Sequence, residues 1–383
     1  MSGVFYDLQG AQSVAHPERG IARYVAELAT ALTRVAPDVV DAFVHDPARP
    51  LPSTLDELRG RAKLVTATDP ALDAARVFHV ASPFEHLVAG DALVPPAVRR
   101  AGARLVATLY DLIPLVFPDD FLFSGYERAL YRRGLELVRA CDAIVAISEA
   151  TALDAERLLG VRRSRITVVG AGAAATFRPP TRSSAKIVGS LHAQLPRLRD
   201  GYVFLPTGID PRKNWREALV AYASLERSQR ARHQLVLTCR VDDAQRRTLS
   251  ALGRELGIDD DLLVTGVVDD ATLVALYQGA RVVLYPSRYE GFGLPLLEAR
   301  LCDAPAICGD NSSLREVVVD PEARFDADDP AAIATVLRRV LDDEAFRARL
   351  LATPPPAFTW DLAAQRTAER YEALLSGRTR PRA

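Results

Sequence analysis

The sequence predicts two successive α/β domains, each a parallel sheet wrapped by helices. Three observations lead there. The chain has 383 residues, past the roughly 250–300 at which one hydrophobic core stops growing, so two domains are expected. Short apolar or β-branched runs alternate with helical patterns from end to end, which is how buried parallel strands joined by crossover helices read. The alternation halts once, at a polar stretch from Thr181 to Ala185 that follows Phe177-Arg178-Pro179-Pro180, and then restarts. The expected division is residues 1–180, residues 181–355, and a C-terminal helix within 356–383 that packs back on the first domain.

In the first domain, strands are expected at Val4–Tyr6, Val39–His45, Val77–Val80, Leu105–Leu109, Ala143–Ser148 and Ile166–Val169. Gly20–Arg34, Gly125–Arg139 and Glu149–Leu159 read as helices because apolar residues recur there at three and four. In the second domain the strands are Tyr202–Leu205, Gln234–Thr238, Leu262–Val264, Val282–Tyr285 and Pro305–Cys308, each followed by a helix. Asp242-Asp243 and Asp269-Asp270 precede helical patterns and read as caps of a first turn, since no third ligand type accompanies them. Pro354-Pro355-Pro356 breaks the last domain, and Trp360 to Leu375 reads as one terminal helix.

Hydrophobic residues at 49% and charged residues at 25% exclude a disordered or fibrous chain. A net charge of -1 with no polycationic half excludes a nucleic-acid footprint. The first positive residue is Arg19 and no apolar run is long enough to span a bilayer, so a cytoplasmic protein is expected. Cys141, Cys239, Cys302 and Cys308 lack a Cys-x-x-Cys pair and are expected to be buried free thiols rather than a zinc site.

Val168-Val169-Gly170-Ala171-Gly172-Ala173-Ala174-Ala175 mimics a dinucleotide fingerprint, but Pro179-Pro180 stands where its helix should begin. No acid occurs between Glu156 and Asp200, so a glycine-rich turn at the domain edge is expected instead. The informative stretch is Tyr285-Pro286-Ser287-Arg288-Tyr289-Glu290-Gly291-Phe292-Gly293-Leu294-Pro295-Leu296-Leu297-Glu298-Ala299. It leaves a buried strand, turns through two glycines and opens a helix at a proline suited to an early position. Free N–H groups and the helix dipole then favour a bound diphosphate, and Glu290 and Glu298 can accept hydrogen bonds from hydroxyls at two places along one elongated ligand. Upstream, Leu205-Pro206-Thr207-Gly208-Ile209-Asp210-Pro211-Arg212-Lys213-Asn214 also runs from strand to helix. Lys213 is one of only three lysines among 48 basic residues, and with Arg212 it can neutralise a diphosphate leaving group.

These two segments, together with Gly266-Val267-Val268 and the helix to Tyr277, resemble the family 4 glycosyltransferases, retaining enzymes of the two-domain GT-B fold. The resemblance covers nearly the whole chain. It runs through Arg19-Gly20-Ile21-Ala22-Arg23-Tyr24, Phe78-His79-Val80-Ala81-Ser82-Pro83-Phe84-Glu85, Asp111-Leu112-Ile113-Pro114-Leu115, Ile147-Ser148-Glu149 and Phe358-Thr359-Trp360, and the chain resembles bacterial polysaccharide and natural-product mannosyl- or rhamnosyl-type transferases.

The resemblance implies two Rossmann-like domains facing across a cleft, with the acceptor held mainly by the first and a nucleotide-diphosphate sugar (UDP, GDP or dTDP) by the second. Glu290 would contact sugar hydroxyls and Glu298 the ribose. Backbone N–H groups of Gly291, Phe292, Gly293 and Leu294 would meet sugar and phosphate, Gly208 and Val267 would line the donor, and Arg212 and Lys213 would meet the diphosphate. Gly20, Tyr110 and Asp111 would lie on the acceptor or sugar side; His79 is a further candidate for that side, although a histidine at a strand's end is more often structural.

Two positions depart from the family pattern. Ile209 stands where many relatives have arginine, shifting phosphate charge onto Arg212. Tyr110 stands where relatives have a histidine near the sugar, and its larger body suggests a preference for a 6-deoxy sugar, the alternative being that it only packs against Leu112 and Pro114 and leaves selectivity alone. Arg128, Arg132, Arg133 and Arg139 on one helix read as a solvated face, with contact to an anionic membrane as the alternative. The function expected is metal- and cofactor-independent transfer of a hexose or deoxyhexose to a hydroxyl of a carbohydrate, lipid-linked or small-molecule acceptor. The alternatives are a catalytically silent nucleotide-sugar-binding protein of the same fold and a nucleotide-sugar epimerase or phosphorylase.

Overall fold

The computed structural model describes residues 2–12, 20–84 and 93–377. The chain forms two compact units, Met1–Gly172 with Phe358–Ala383, and Ala173–Ala357. The first unit therefore ends at Gly172 rather than at Pro180, and the Arg178 carbonyl already accepts a hydrogen bond from Gln278 Nε2 (2.8 Å) in the second.

The first unit holds seven strands: β1 (Val4–Asp7), β2 (Ala42–His45), β3 (Leu64–Thr66), β4 (Val77–Val80), β5 (Arg104–Leu109), β6 (Ala143–Ala146) and β7 (Ile166–Val168). They lie in the order β3-β2-β1-β4-β5-β6-β7, and their pairings are parallel. Helices cover both faces, so the central strands are buried throughout and read as unbroken apolar runs. On one face Phe5, Ala42, Val44, Phe78 and Val80 share a core; on the other, α1 (Gly20–Val35) packs against the terminal helix Trp360–Leu375.

The sequence Gly-Ala-Gly at residues 170–172 is where this returning chain crosses. Gly170 has φ +84°, and a Cβ on Gly172 would stand 2.8 Å from the Trp360 ring. The glycines make room for Phe358 and Trp360, which accounts for a fingerprint-like sequence without a nucleotide. Thr359 caps the terminal helix through the Leu362 N–H (3.1 Å).

Two further helices matter below, α2 (Gly125–Ala140), which opens with a Ser124/Glu127 capping box, and α3 (Glu149–Leu159), capped by Ser148 and closed by Gly160 at φ +67°.

The second unit holds six strands: β8 (Val203–Leu205), β9 (Leu235–Leu237), β10 (Leu262–Val264), β11 (Val282–Tyr285), β12 (Ala306–Gly309) and β13 (Arg324–Phe325), in the order β10-β9-β8-β11-β12-β13, again parallel. Its helices include α4 (Trp215–Ala223), α5 (Asp243–Glu255), α6 (Asp270–Gly279) and α7 (Leu294–Leu301). Asp242 and Asp269 cap α5 and α6 through the Gln245 and Thr272 N–H groups, as their positions predict. Cys141, Cys302 and Cys308 are buried, whereas Cys239 is only half-buried. No helix among the described residues is long and apolar enough to cross a membrane.

Candidate active site

In an open parallel sheet, ligands bind outside the carboxyl ends of the strands where the strand order reverses. The second sheet reverses between β8 and β11. The loops leaving those two strands are the two segments singled out by sequence, and the fold brings them together. The Arg288 N–H donates to the Arg212 carbonyl (2.9 Å), and the Ser287 hydroxyl donates to the same oxygen (3.3 Å).

Glu290 is the hub. One carboxylate oxygen, Oε1, lies 2.6 Å from Lys213 Nζ, 2.8 Å from Arg212 Nη1 and 2.9 Å from the Tyr285 hydroxyl. Glu290 is 8% exposed, so burial works against its charge, yet the Lys213 and Arg212 cations outweigh it and hold its pKa down to about 2. Burial likewise works against the Arg212 charge, and Glu290 and Asp210 more than offset it, so its pKa is raised. The arrangement sets two fixed cations, Arg212 and Lys213, around the Glu290 carboxylate at the reversal point, with Asp210 Oδ1 3.8 Å from Arg212 Nε.

The backbone is pinned as well. The Glu290 N–H donates to Ser312 Oγ (2.9 Å), and the Ser313 hydroxyl donates to the Glu290 carbonyl (2.8 Å). On the basic loop, Asn214 adopts a left-handed backbone (φ 57°) and its Nδ2 donates to the Ala327 carbonyl. Tyr285, Ser312 and Ser313 were not identified from sequence. Tyr285 ends a strand and reads as core, and the serines lie more than twenty residues from the glutamate they hold.

Gly293 precedes α7 with φ +95°, and a Cβ there would approach Leu314 Cδ2 to 2.9 Å, so the turn requires glycine. No side chain caps α7, and Pro295 occupies an early position where a missing N–H costs nothing. Glu298 on α7 accepts a hydrogen bond from the buried Tyr277 hydroxyl of α6 (3.0 Å). Gly208 is half-buried beside Asp210, and Val267, after Gly266 at φ +78°, is 63% exposed.

Comparison with known proteins fits this geometry. Residues 18–175 match the family described as Glycosyltransferase Family 4, and residues 193–352 match Glycosyl transferases group 1. The chain is 31% identical over 280 residues to O-antigen chain mannosyltransferase B of Escherichia coli, covering 71% of each protein. It belongs to the family 4 glycosyltransferases. This glycosyltransferase is also 30% identical over 276 residues to the serotype-specific mannosyltransferase WbdA of Escherichia coli, spanning 71% of this chain but only 34% of WbdA. Among solved structures it is similar to sucrose-phosphate synthase from Thermosynechococcus elongatus (18% identity, TM-score 0.69, 98% and 99% of the two chains). It is likewise similar to Anabaena HepE in complex with UDP and glucose (15%, TM-score 0.63, 97% of each). These likenesses show the GT-B fold.

In the first unit His79 takes the structural one of its two readings. His79 does not face a crevice: it is fully buried, Nδ1 pairs with the Tyr371 hydroxyl of the terminal helix and Nε2 with Thr108 Oγ1 (2.8 Å). Burial pushes its pKa down to about 3, so it is a neutral core residue. Tyr110 is 7% exposed; its hydroxyl donates to the Ala81 carbonyl (2.7 Å) and its ring meets Tyr24 edge-on at 5.2 Å. Asp111 accepts the Ile113 N–H (3.0 Å), which anchors the turn that follows. Gly20 is the exposed first residue of α1, with open space where a Cβ would be. Arg19 and Glu85 of the sequence motifs lie outside the described residues.

Proposed function

We propose that this glycosyltransferase is a retaining, metal-independent enzyme that moves a hexose or deoxyhexose from a UDP, GDP or dTDP sugar to an acceptor hydroxyl. The observation that carries the reading is the convergence of Arg212 and Lys213 on Glu290 at the strand-order reversal, beside the uncapped start of α7. As the glycosidic bond breaks, negative charge builds on the leaving diphosphate, and cations already held in place stabilise it without reorganisation. Backbone N–H groups from Gly291 to Leu294 add dipoles of the same sign. Glu290 receives sugar hydroxyls, Glu298 the ribose, and Gly208 and Val267 line the nucleotide.

The first unit takes the acceptor, with Gly20, Tyr110 and Asp111 on that side. The mannosyltransferase relatives support a mannose-type sugar and a carbohydrate acceptor. The same reading has the enzyme work in the cytoplasm. Phe123 (74% exposed) and Tyr126 (69% exposed), beside the exposed Arg128 and Arg132 of α2, support peripheral contact with the membrane's inner face for a lipid-linked acceptor.

The test is a donor panel of UDP, GDP and dTDP sugars read by thermal shift and transfer, with an early NMR spectrum of the product and a parallel assay in EDTA. Retained anomeric configuration and undiminished rate in chelator are expected. Inversion, or activity lost to EDTA and restored by Mn²⁺, overturns the reading; donor binding without hydrolysis or transfer indicates a silent binding protein.

A further inference from the structure

The first sheet has its own strand-order reversal, between β1 and β4, and a buried carboxylate closes the first of those strands. Asp7 is the last residue of β1 and is 4% exposed. Its backbone register with Val44 and its place beyond Phe5 put its side chain on the face shared by Val44 and Val80. Among the described residues its partners are the backbone N–H of Gln9, 3.1 Å from Oδ1, and the Gln9 side chain. A few residues on, Gly10 packs against the turn after β4 so closely that a Cβ would stand 2.7 Å from Ser82 Cβ. The two turns are in contact, and a carboxylate sits at the root of one of them.

A turn anchor alone does not explain an acid here. The Gln9 N–H needs a neutral acceptor, which asparagine supplies equally well. Burying a carboxylate with only amide partners disfavours its charge, and Asp7 is accordingly pushed up to about 6. A charged oxygen retained at a cost to stability, at a reversal point, marks a group kept for a ligand. Glycosyl acceptors present hydroxyl donors, and a carboxylate is the strongest hydrogen-bond acceptor a side chain offers them.

We propose that Asp7 is an acceptor-binding residue, its carboxylate accepting a hydrogen bond from a hydroxyl of the acceptor sugar. This rests on the reading that the first unit takes the acceptor. The role is specificity: a hydroxyl turned away from Asp7 leaves the carboxylate unpaired, so acceptors differing at that one position are discriminated.

The test is Asp7→Asn in the full-length enzyme, which keeps the Gln9 turn. Transfer is measured to methyl α-mannopyranoside, methyl α-rhamnopyranoside and α-mannotriose, beside donor hydrolysis without acceptor and thermal unfolding at pH 7.5. The acceptor KM should rise about 10- to 100-fold, the donor KM and hydrolysis rate should stay within about twofold, and Tm should rise. An acceptor KM within twofold of wild type overturns the proposal, as does a fall in Tm with both KM values rising together, the mark of a turn role. Wild-type enzyme that neither hydrolyses nor transfers any donor instead refutes the glycosyl-transfer reading itself, and the two failures are thereby separate.

Discussion

The two sheets end in the same topology and opposite electrostatics. In the second unit the buried carboxylate at the reversal point, Glu290, is held by two cations and stays ionised down to about pH 2; in the first, Asp7 has only amide partners among the described residues and is pushed up to about 6. Both sit at the carboxyl ends of central strands and both are more than nine-tenths buried. Burial raises both pKa values, so it sets the Asp7 shift, and the difference between the two carboxylates comes from the neighbouring cations at Glu290. On the proposed function the two cations that hold Glu290 are the groups that would meet a diphosphate, whereas a site for neutral sugar hydroxyls has no need of them.

The largest effect is expected where one of those cations is removed. Lys213→Ala should lower kcat by on the order of 10²-fold or more, because its charge acts as the leaving group departs. Donor affinity should fall less, since Arg212 remains on Glu290. Steady-state kinetics over a donor series decide this, and an unchanged kcat would remove Lys213 from the site and with it one side of the comparison.

The next effect separates the two carboxylates by pH. Asp7 has a folded pKa above its usual value of 3.8, so its contribution to stability is fully present below about pH 4 and is lost as pH rises through about 6. Glu290 has a folded pKa below its usual value of 4.5, so its contribution is present above about 4.5 and is lost as pH falls toward 2. Asp7→Asn should therefore gain on wild type between pH 4 and 7, by up to about 3 kcal/mol at neutral pH. Denaturant unfolding at pH 4.0, 5.5 and 7.5 measures it, and a pH-independent difference would mean that the carboxylate is charged at no cost.

How much of this was legible beforehand follows from the same physics. Buried central strands are apolar on both faces, so β1, β4, β5, β6, β8 and β11 announce themselves as runs. The edge strands β3 and β13 have three and two residues and carry too little pattern to find. The Glu290 and Lys213 loops were readable because glycine, proline and a rare lysine mark them in sequence. Asp7 was not, because Val4-Phe5-Tyr6-Asp7-Leu8 reads as core with one polar residue. His79 could be read two ways for the complementary reason: a strand-end histidine is either available or structural until the terminal helix, nearly three hundred residues away, brings Tyr371 onto it.

A smaller effect probes the far end of the donor. Glu298, held by Tyr277, is proposed to meet the ribose, a contact equally present in ground and transition states. Glu298→Gln should raise the donor KM by about tenfold and leave kcat largely intact. A kcat that falls in proportion would place Glu298 at the reacting centre instead.

The smallest effect concerns Tyr110, where size and polarity can be separated. Its hydroxyl donates to the Ala81 carbonyl and its ring lies against Tyr24. Tyr110→Phe keeps the ring and its volume but leaves that carbonyl unpaired, so stability should fall by about 1–2 kcal/mol. If the residue narrows the sugar pocket by bulk, the phenylalanine variant keeps the expected preference for 6-deoxyhexose over hexose donors, because nothing has shrunk. Tyr110→His, smaller and without the reach to Ala81, should weaken both the fold and the preference. The decisive quantity is the ratio of kcat/KM for matched hexose and 6-deoxyhexose donors across the three proteins. A wild type that prefers the hexose, or a ratio that moves with Phe but not with His, shows that volume at this position does not set the choice of sugar.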